Sequence, residues 1–320
     1  MINVALYDID KTGFPNLALM KLGTFLKSEG YLPILNPPPG LTSLERSYAS
    51  IVFTYNNKKV NPKIPSDNVG GSGIDLKKKL PPHIEKLIPD YSLYGIKYGL
   101  GFLSRGCIRN CKFCIVRKKE GALRQVSEIG DLLNPLSKDI ILLDNNFLGL
   151  PNHIQLLKDI KKLGLRVDFN QGLDIRLLTM GVGDILRQIP PIRDWRFSFD
   201  TISYVEETIK GISILKQCGI LGKTQFFVLL GYKADLLETK ERLSIVSKYK
   251  LNCFFMLYCD REGNVPAPPN EWEPHKQELI DLLLRIRSPI GNKKKILRWL
   301  AGGHLPYSER RGWEKQKGGL

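Results

Sequence analysis

Cys107, Cys111 and Cys114 stand in one short stretch, Ser104-Arg105-Gly106-Cys107-Ile108-Arg109-Asn110-Cys111-Lys112-Phe113-Cys114. Thiolates are soft metal ligands. At Cys-x3-Cys-x2-Cys spacing, three of them can hold three irons of a [4Fe–4S] cluster and leave the fourth without a protein ligand. An open iron is a place for a small molecule to chelate. Zinc is the competing chemistry, but a structural zinc site wants four ligands. Cys218, Cys253 and Cys259 lie far along the chain, and His83 is too distant to complete a compact motif. An odd number of clustered cysteines and an N-terminus unlike a secretory signal argue against a disulfide framework.

The spacing resembles the signature of the radical S-adenosylmethionine (SAM) enzymes, and Phe113, just before the third cysteine, fits it too. The resemblance implies a [4Fe–4S] cluster on Cys107, Cys111 and Cys114 whose open iron binds the amino and carboxylate groups of SAM. Phe113 would shield the cluster and lie near the adenine. A flavodoxin- or ferredoxin-like reductant would supply an electron. SAM would then cleave to methionine and a 5′-deoxyadenosyl radical that abstracts a substrate hydrogen. Arg105, Arg109 and Lys112 would help to stabilise the added negative charge. The chain resembles in particular the small members of the family found in phage and prophage genomes.

Composition bounds the partners. Of 320 residues 42% are hydrophobic, which suits a folded core. No apolar run reaches the ~18–20 residues of a membrane span, so no membrane is expected. The net charge of +16, from 48 Lys and Arg against 32 Asp and Glu, favours a polyanion such as RNA or DNA. Lysine on solvated faces is the alternative. Six cysteines without an export signal point to a reducing cytoplasm.

The elements that must position the cysteines read as α/β. Residues 2–7 form a buried-strand pattern, 16–29 carry apolar residues at helical spacing, and 33–35 and 50–55 supply further short strands. Residues 1–60 resemble a reduced, Rossmann-like, cobalamin-binding-like domain. No histidine precedes His83, so the family's Asp-x-His-x-x-Gly motif is missing and no cobalamin is expected. Residues 61–97, rich in Pro, Gly and Lys, read as a linker. From 98 to 262 strands are expected at 99–103, 139–143, 166–169, 195–199, 224–230 and 252–258, with helices near 126–134, 152–163, 180–188, 204–217 and 236–248. Alternation of this kind implies a parallel sheet, and six β/α units suit the partial (β/α)6 TIM-like barrel of the resembled family. Residues 263–320 form a C-terminal extension with a helix at about 274–287. A basic, tryptophan-dotted end follows (Lys293, Lys294, Lys295, Arg298, Trp299, Arg310, Arg311, Trp313), suited to phosphates and unpaired bases or else simply solvated.

Ligands of parallel α/β folds bind at the carboxyl ends of strands, so polar residues there are candidates. Asp144 and Asn145 follow the second barrel strand, where the resembled family carries a Gly-Gly-Glu-like motif for the SAM amino group; here the glycines are absent. Gln171, Asp174 and Arg176 follow the third. A carboxylate suits a ribose hydroxyl and a guanidinium suits the methionine carboxylate, while a structural Asp–Arg pair is the equal alternative. Ser198 and Asp200 end the fourth strand as cofactor contacts, and Gly231 ends the fifth, where its backbone could approach adenine. Cys259 ends the sixth as a candidate catalytic thiol, with packing beside Cys253 as the alternative. No second tight cysteine group exists, so no auxiliary cluster is expected. Three functions follow: modification of a nucleic acid, modification of a small molecule or peptide, or a non-catalytic Fe–S binding protein.

Overall fold

The computed structural model describes residues 2–41, 44–233 and 235–302. The chain divides into two compact units, Met1–Cys107 with Ile115–Asp144 and Ile108–Cys114 with Asn145–Leu320.

The first unit opens with β1 (Ile2–Asp8), α1 (Leu17–Ser28), β2 (Tyr31–Leu35), β3 (Leu44–Ser50) and β4 (Val69–Gly70), a parallel sheet in the order β2-β1-β3-β4. Val4, Ala5 and Leu6 are fully buried, as expected of a central parallel strand covered on both faces. Asn16 starts α1 by accepting a hydrogen bond from the Leu19 amide at 3.3 Å, which satisfies one of the free N–H groups of the first turn. Leu19, Leu22 and Leu26 then pack with Val4, Leu6 and Ile84. Short elements follow: α2 (Pro82–Glu85), β5 (Gly99–Gly101), β6 (Ser104–Arg105), α3 (Val116–Glu120), β7 (Arg124–Gln125) and β8 (Asp139–Leu142). β5 pairs in parallel with β8, Gly99 opposite Ile140, and β6 pairs antiparallel with β7. Tyr91, on the approach to β5, donates its hydroxyl to the Leu132 carbonyl at 2.7 Å.

The second unit alternates regularly: α4 (His153–Lys162), β9 (Arg166–Phe169), α5 (Met180–Leu186), β10 (Trp195–Ser198), α6 (Val205–Gln217), β11 (Thr224–Leu230), α7 (Leu236–Lys248) and β12 (Asn252–Leu257), then α8 (Lys276–Arg285) and α9 (Ile290–Leu300). β10, β11 and β12 form a parallel ladder with Ser198 opposite Phe227 and Phe227 opposite Phe254. The sheet has two unlike faces. Trp195, Phe197, Phe226, Val228, Cys253 and Phe255 are all essentially buried. On the opposite face Ser198, Phe227, Phe254 and Met256 stay half-exposed, although Arg196 and Leu229 there are buried. Parallel strands usually bury both faces, so the open face is the one available to a ligand.

The chain is mixed α/β with parallel sheets, and the strands of the second half lie where their apolar runs predict. Among the described residues neither unit closes a ring of strands on its own. No helix among them is long and apolar enough to cross a membrane.

Three local expectations are corrected. The strand expected at 50–55 lies earlier, at β3, because Ile51 leaves the ladder to exchange backbone hydrogen bonds of 2.9 Å with Gly70 and Gly73. The helix expected near 126–134 shrinks to one 3-10 turn, Ile129–Leu132. The tail carries two helices, the second following Pro289. Asn292 on α9 brackets the backbone of Phe255, accepting from its N–H at 2.8 Å and donating to its carbonyl at 2.9 Å, so α9 covers the edge of β12 that would otherwise be open. Lys295 and Trp299 are each only 3% exposed and so cannot grip a nucleic acid. Trp299 donates to the Pro266 carbonyl at 2.8 Å and packs edge-on against Trp272. Arg310, Arg311 and Trp313 lie outside the described residues.

Candidate active site

The cysteine stretch enters through Leu103 and Ser104, and a buried carboxylate receives it. Asp144, 3% exposed, accepts from the Leu103 amide at 3.0 Å and from the Ser104 amide and hydroxyl at 2.6 Å each. Burial pushes its carboxyl up to about 6 against the opposing pull of these hydrogen bonds. Arg105 is next. Its guanidinium reaches Glu85 at 2.7 Å and Glu120 at 3.3 Å and lies over the Phe102 ring at 4.0 Å. Its charge is therefore already balanced by carboxylates, which departs from the role of a free cation beside a cluster. Gly106 takes φ +88°, and a Cβ there would fall inside contact distance of the Ala122 and Gly121 carbonyls; only glycine fits. Cys107 donates its amide to the Gly121 carbonyl at 3.4 Å, and its own carbonyl accepts from Arg117 at 3.0 Å.

The stretch from Ile108 to Cys114 is held by other means. Arg109 donates through Nε to Asp174 at 2.9 Å. The same carboxylate takes Arg176 through Nε at 2.6 Å, Nη2 at 3.0 Å and the backbone amide at 3.2 Å, and Asn146 at 3.4 Å. Burial alone would raise the Asp174 carboxyl, but Arg176 and then Arg109 bring it below its ordinary value. Arg176 lies over the Tyr204 ring at 4.4 Å. Cys114 donates its amide to the Cys111 carbonyl at 3.0 Å, closing a turn. Phe113 meets Tyr232 edge-on at 5.5 Å, and Tyr232 meets Tyr258 in the same way at 4.9 Å. Asp174 follows β9, Tyr232 follows β11 and Tyr258 follows β12. The second part of the cysteine loop is therefore seated on strand carboxyl ends, the edge where α/β folds bind ligands.

The other candidates spread along that edge. Asn145 is half-buried, and Gln171 is exposed beside Asn170 at 3.3 Å. Ser198 lies on the half-open face of β10. Asp200 accepts from the Leu229 amide at 3.2 Å and donates its own amide to the Tyr204 hydroxyl at 2.6 Å. Burial holds the Asp200 carboxyl up at about 6 although Arg242 opposes it. Gly231 takes φ +83° with the Trp299 ring 3.3 Å from where a Cβ would sit; its glycine is explained by that packing. Cys259 is half-buried, two residues beyond β12 and next to Asp260, whose carboxylate closes a turn onto Asn264 at 2.7 and 2.9 Å. Cys253 lies on the sealed face, where burial pushes its thiol up to about 12. A cavity of about 240 Å³ lined by Pro268, Pro269, Trp272, Leu279 and Leu300 includes none of the candidates.

Sequence reasoning missed Glu85, Glu120, Asn146, Tyr204, Tyr232 and Tyr258. The tyrosines had a signal, since Tyr258 directly follows β12, Tyr232 comes two residues after β11 and Tyr204 immediately precedes α6; the carboxylates did not, because their partners are distant in sequence.

Cys107, Cys111 and Cys114 are half-buried and in no disulfide, and thiolates are the donors an iron–sulfur cluster takes. Among the described residues no three His, Cys, Asp or Glu side chains converge as a single ion requires. Cluster thiolates each take a different iron and need no common point.

No protein-family model matches the chain, and no curated protein does. Among solved structures it is similar to Streptococcus suis SuiB bound to S-adenosylmethionine, with TM-score 0.41, 10% identity, and 59% of this chain on 49% of that one. It is also similar to SuiB bound to precursor peptide SuiA, with TM-score 0.41, 11% identity, and 72% of this chain on 58% of that one. The chain thus spans about half the length of the chains it matches. So loose a superposition decides neither activity nor partner.

Proposed function

We propose that the chain is a radical SAM enzyme that modifies a nucleic acid. Its division would be a Rossmann-like segment (1–60), a connection (61–97), a partial (β/α)6 barrel (98–262) and a C-terminal extension (263–320). The observation that carries the reading is the seating of Ile108–Cys114 on strand carboxyl ends through Arg109–Asp174 and Phe113–Tyr232. A [4Fe–4S] cluster held by Cys107, Cys111 and Cys114 would supply reductive cleavage of SAM to a 5′-deoxyadenosyl radical.

The chain's own residues do the rest. Arg109 and Arg176 carry one more positive charge than Asp174 neutralises, which suits a carboxylate such as that of SAM. Phe113, Tyr232 and Tyr258 make an aromatic wall that excludes water and can meet a flat base. Asn145, Gln171 and Ser198 offer neutral hydrogen-bonding groups on the same edge. Asp200, held near 6, can keep or release a proton close to neutrality. Gly231 packs on Trp299 at the end of β11, and Cys259, next to Tyr258, is the candidate catalytic thiol, which could give its S–H hydrogen atom to a substrate radical and become a thiyl radical.

The nucleic-acid part rests on charge. Between 282 and 302 the chain has six cations and no carboxylate, and Arg285, Arg287, Lys294 and Arg298 are exposed. Retention on bulk RNA or DNA should fall steeply as salt rises, because counterions are released on binding. Retention indifferent to salt, with SAM cleavage stimulated by peptide instead, would replace nucleic acid by a peptide substrate. A full cluster that never cleaves SAM would leave a binding protein.

A further inference from the structure

Asp144 occupies the position where a cofactor-binding carboxylate is expected, yet its hydrogen-bonding capacity is turned inward. One oxygen accepts from the Leu103 amide at 3.0 Å, and the other from the Ser104 amide and hydroxyl at 2.6 Å. All three donors belong to the two residues that open the cysteine stretch. The carboxylate is 3% exposed, and a buried carboxylate that accepts three hydrogen bonds holds its donors in one place, since each would be costly to leave unpaired. Downstream the path is constrained at every residue. Arg105 is gripped by Glu85 and Glu120, Gly106 is wedged against Ala122, and the Cys107 backbone is hydrogen-bonded at both its amide and its carbonyl. A loop ordered before its ligand arrives has less entropy to lose on binding.

We propose that Asp144 is a positioning residue that shapes the Leu103–Cys107 segment so that Cys107 presents its thiolate to the cluster, and that it is not a contact to SAM. The inference rests on the cluster reading above. Asp144→Asn separates the two roles. An amide keeps one acceptor oxygen but turns an NH2 group toward a backbone N–H, so two donors face each other where one bond was. A positioning role predicts a folded variant, by circular dichroism, whose reconstituted iron and sulfide per chain fall at least threefold. A SAM contact predicts wild-type iron and sulfide with loss of the change that SAM produces in the electron paramagnetic resonance of the reduced cluster.

The experiment reconstitutes the full chain anaerobically with iron and sulfide and reads both quantities in wild type and Asp144→Asn. The threefold loss in a folded variant supports the proposal. Wild-type iron in Asp144→Asn, with or without a lost SAM response, overturns it. Should Asp144→Asn fail to fold, Ser104→Ala decides, because it removes one of the three donors and leaves both amides. About a twofold loss of iron there supports the proposal and an unchanged content overturns it. A wild-type chain that takes up no iron at all would overturn the cluster reading itself, an outcome distinguishable from the others, and would remove this inference with it.

Discussion

The two parts of the cysteine loop are held by opposite means. Leu103–Cys107 is anchored by buried groups of fixed geometry: the Asp144 carboxylate, the paired Arg105 and a glycine that nothing else can replace. Ile108–Cys114 is anchored by half-exposed contacts, one arginine on Asp174 and one aromatic edge on Tyr232. The first anchors tolerate almost no change, since an orphaned buried donor or a steric clash is expensive. The second are individually modest: the Arg109 guanidinium is a third exposed, although the Asp174 carboxylate it meets is buried. Cys107 thus ends a tightly held segment, whereas Cys111 and Cys114 lie in one held by fewer and weaker contacts.

The sharpest break of the comparison is chemical. Cys111→Ala should abolish cluster uptake and SAM cleavage together, read as iron per chain and 5′-deoxyadenosine. Next in size is Gly106→Ala, which forces a Cβ into the Ala122 carbonyl at a positive φ; we expect a loss of about 3 kcal/mol in thermal or urea unfolding. An alanine at an exposed site such as Lys112 should move stability by no more than about 0.5 kcal/mol.

Acidity separates the two parts by sign. The Asp144 carboxyl is raised to about 6 from 3.8, so the folded chain holds that proton more tightly than the unfolded one. Its contribution to stability is full below about pH 4 and declines by up to about 3 kcal/mol as pH rises to about 6. The Asp174 carboxyl is depressed, so its contribution is present above about pH 4 and is lost as pH falls below that. Hydrogen-exchange protection, corrected for intrinsic rates, should therefore rise in the first segment from pH 7 to pH 5. In the second it should hold level there and fall only in stronger acid. Asp144→Asn should flatten the first response and Asp174→Asn the second. Equal responses in both segments would erase the distinction. Phe113→Ala removes one aromatic edge contact worth about 1 kcal/mol and should loosen only the second segment.

Much of this was legible in the sequence, for identifiable reasons. The thiol spacing is local, so Cys107, Cys111 and Cys114 stand out as candidate ligands from the sequence alone. The strands at β9 to β12 and the helices α4 to α7 follow from apolar periodicity and good caps such as Thr179 and Asp235. β3 was not legible, because Leu-Glu-Arg-Ser-Tyr-Ala-Ser is too polar to resemble a strand beside the apolar run that follows it. α9 was masked by its lysines, although Ile296, Trp299 and Leu300 sit at helical spacing. The role of Asp144 could not be read at all: its position announces a ligand, and only the contact 40 residues back to Ser104 shows that the carboxylate faces the protein.

The most direct test of the central claim is 5′-deoxyadenosine formation from SAM by anaerobically reconstituted, reduced protein, with Cys111→Ala measured beside it. The account predicts product from the wild-type chain and none above background from the variant. Equal product from both would contradict it.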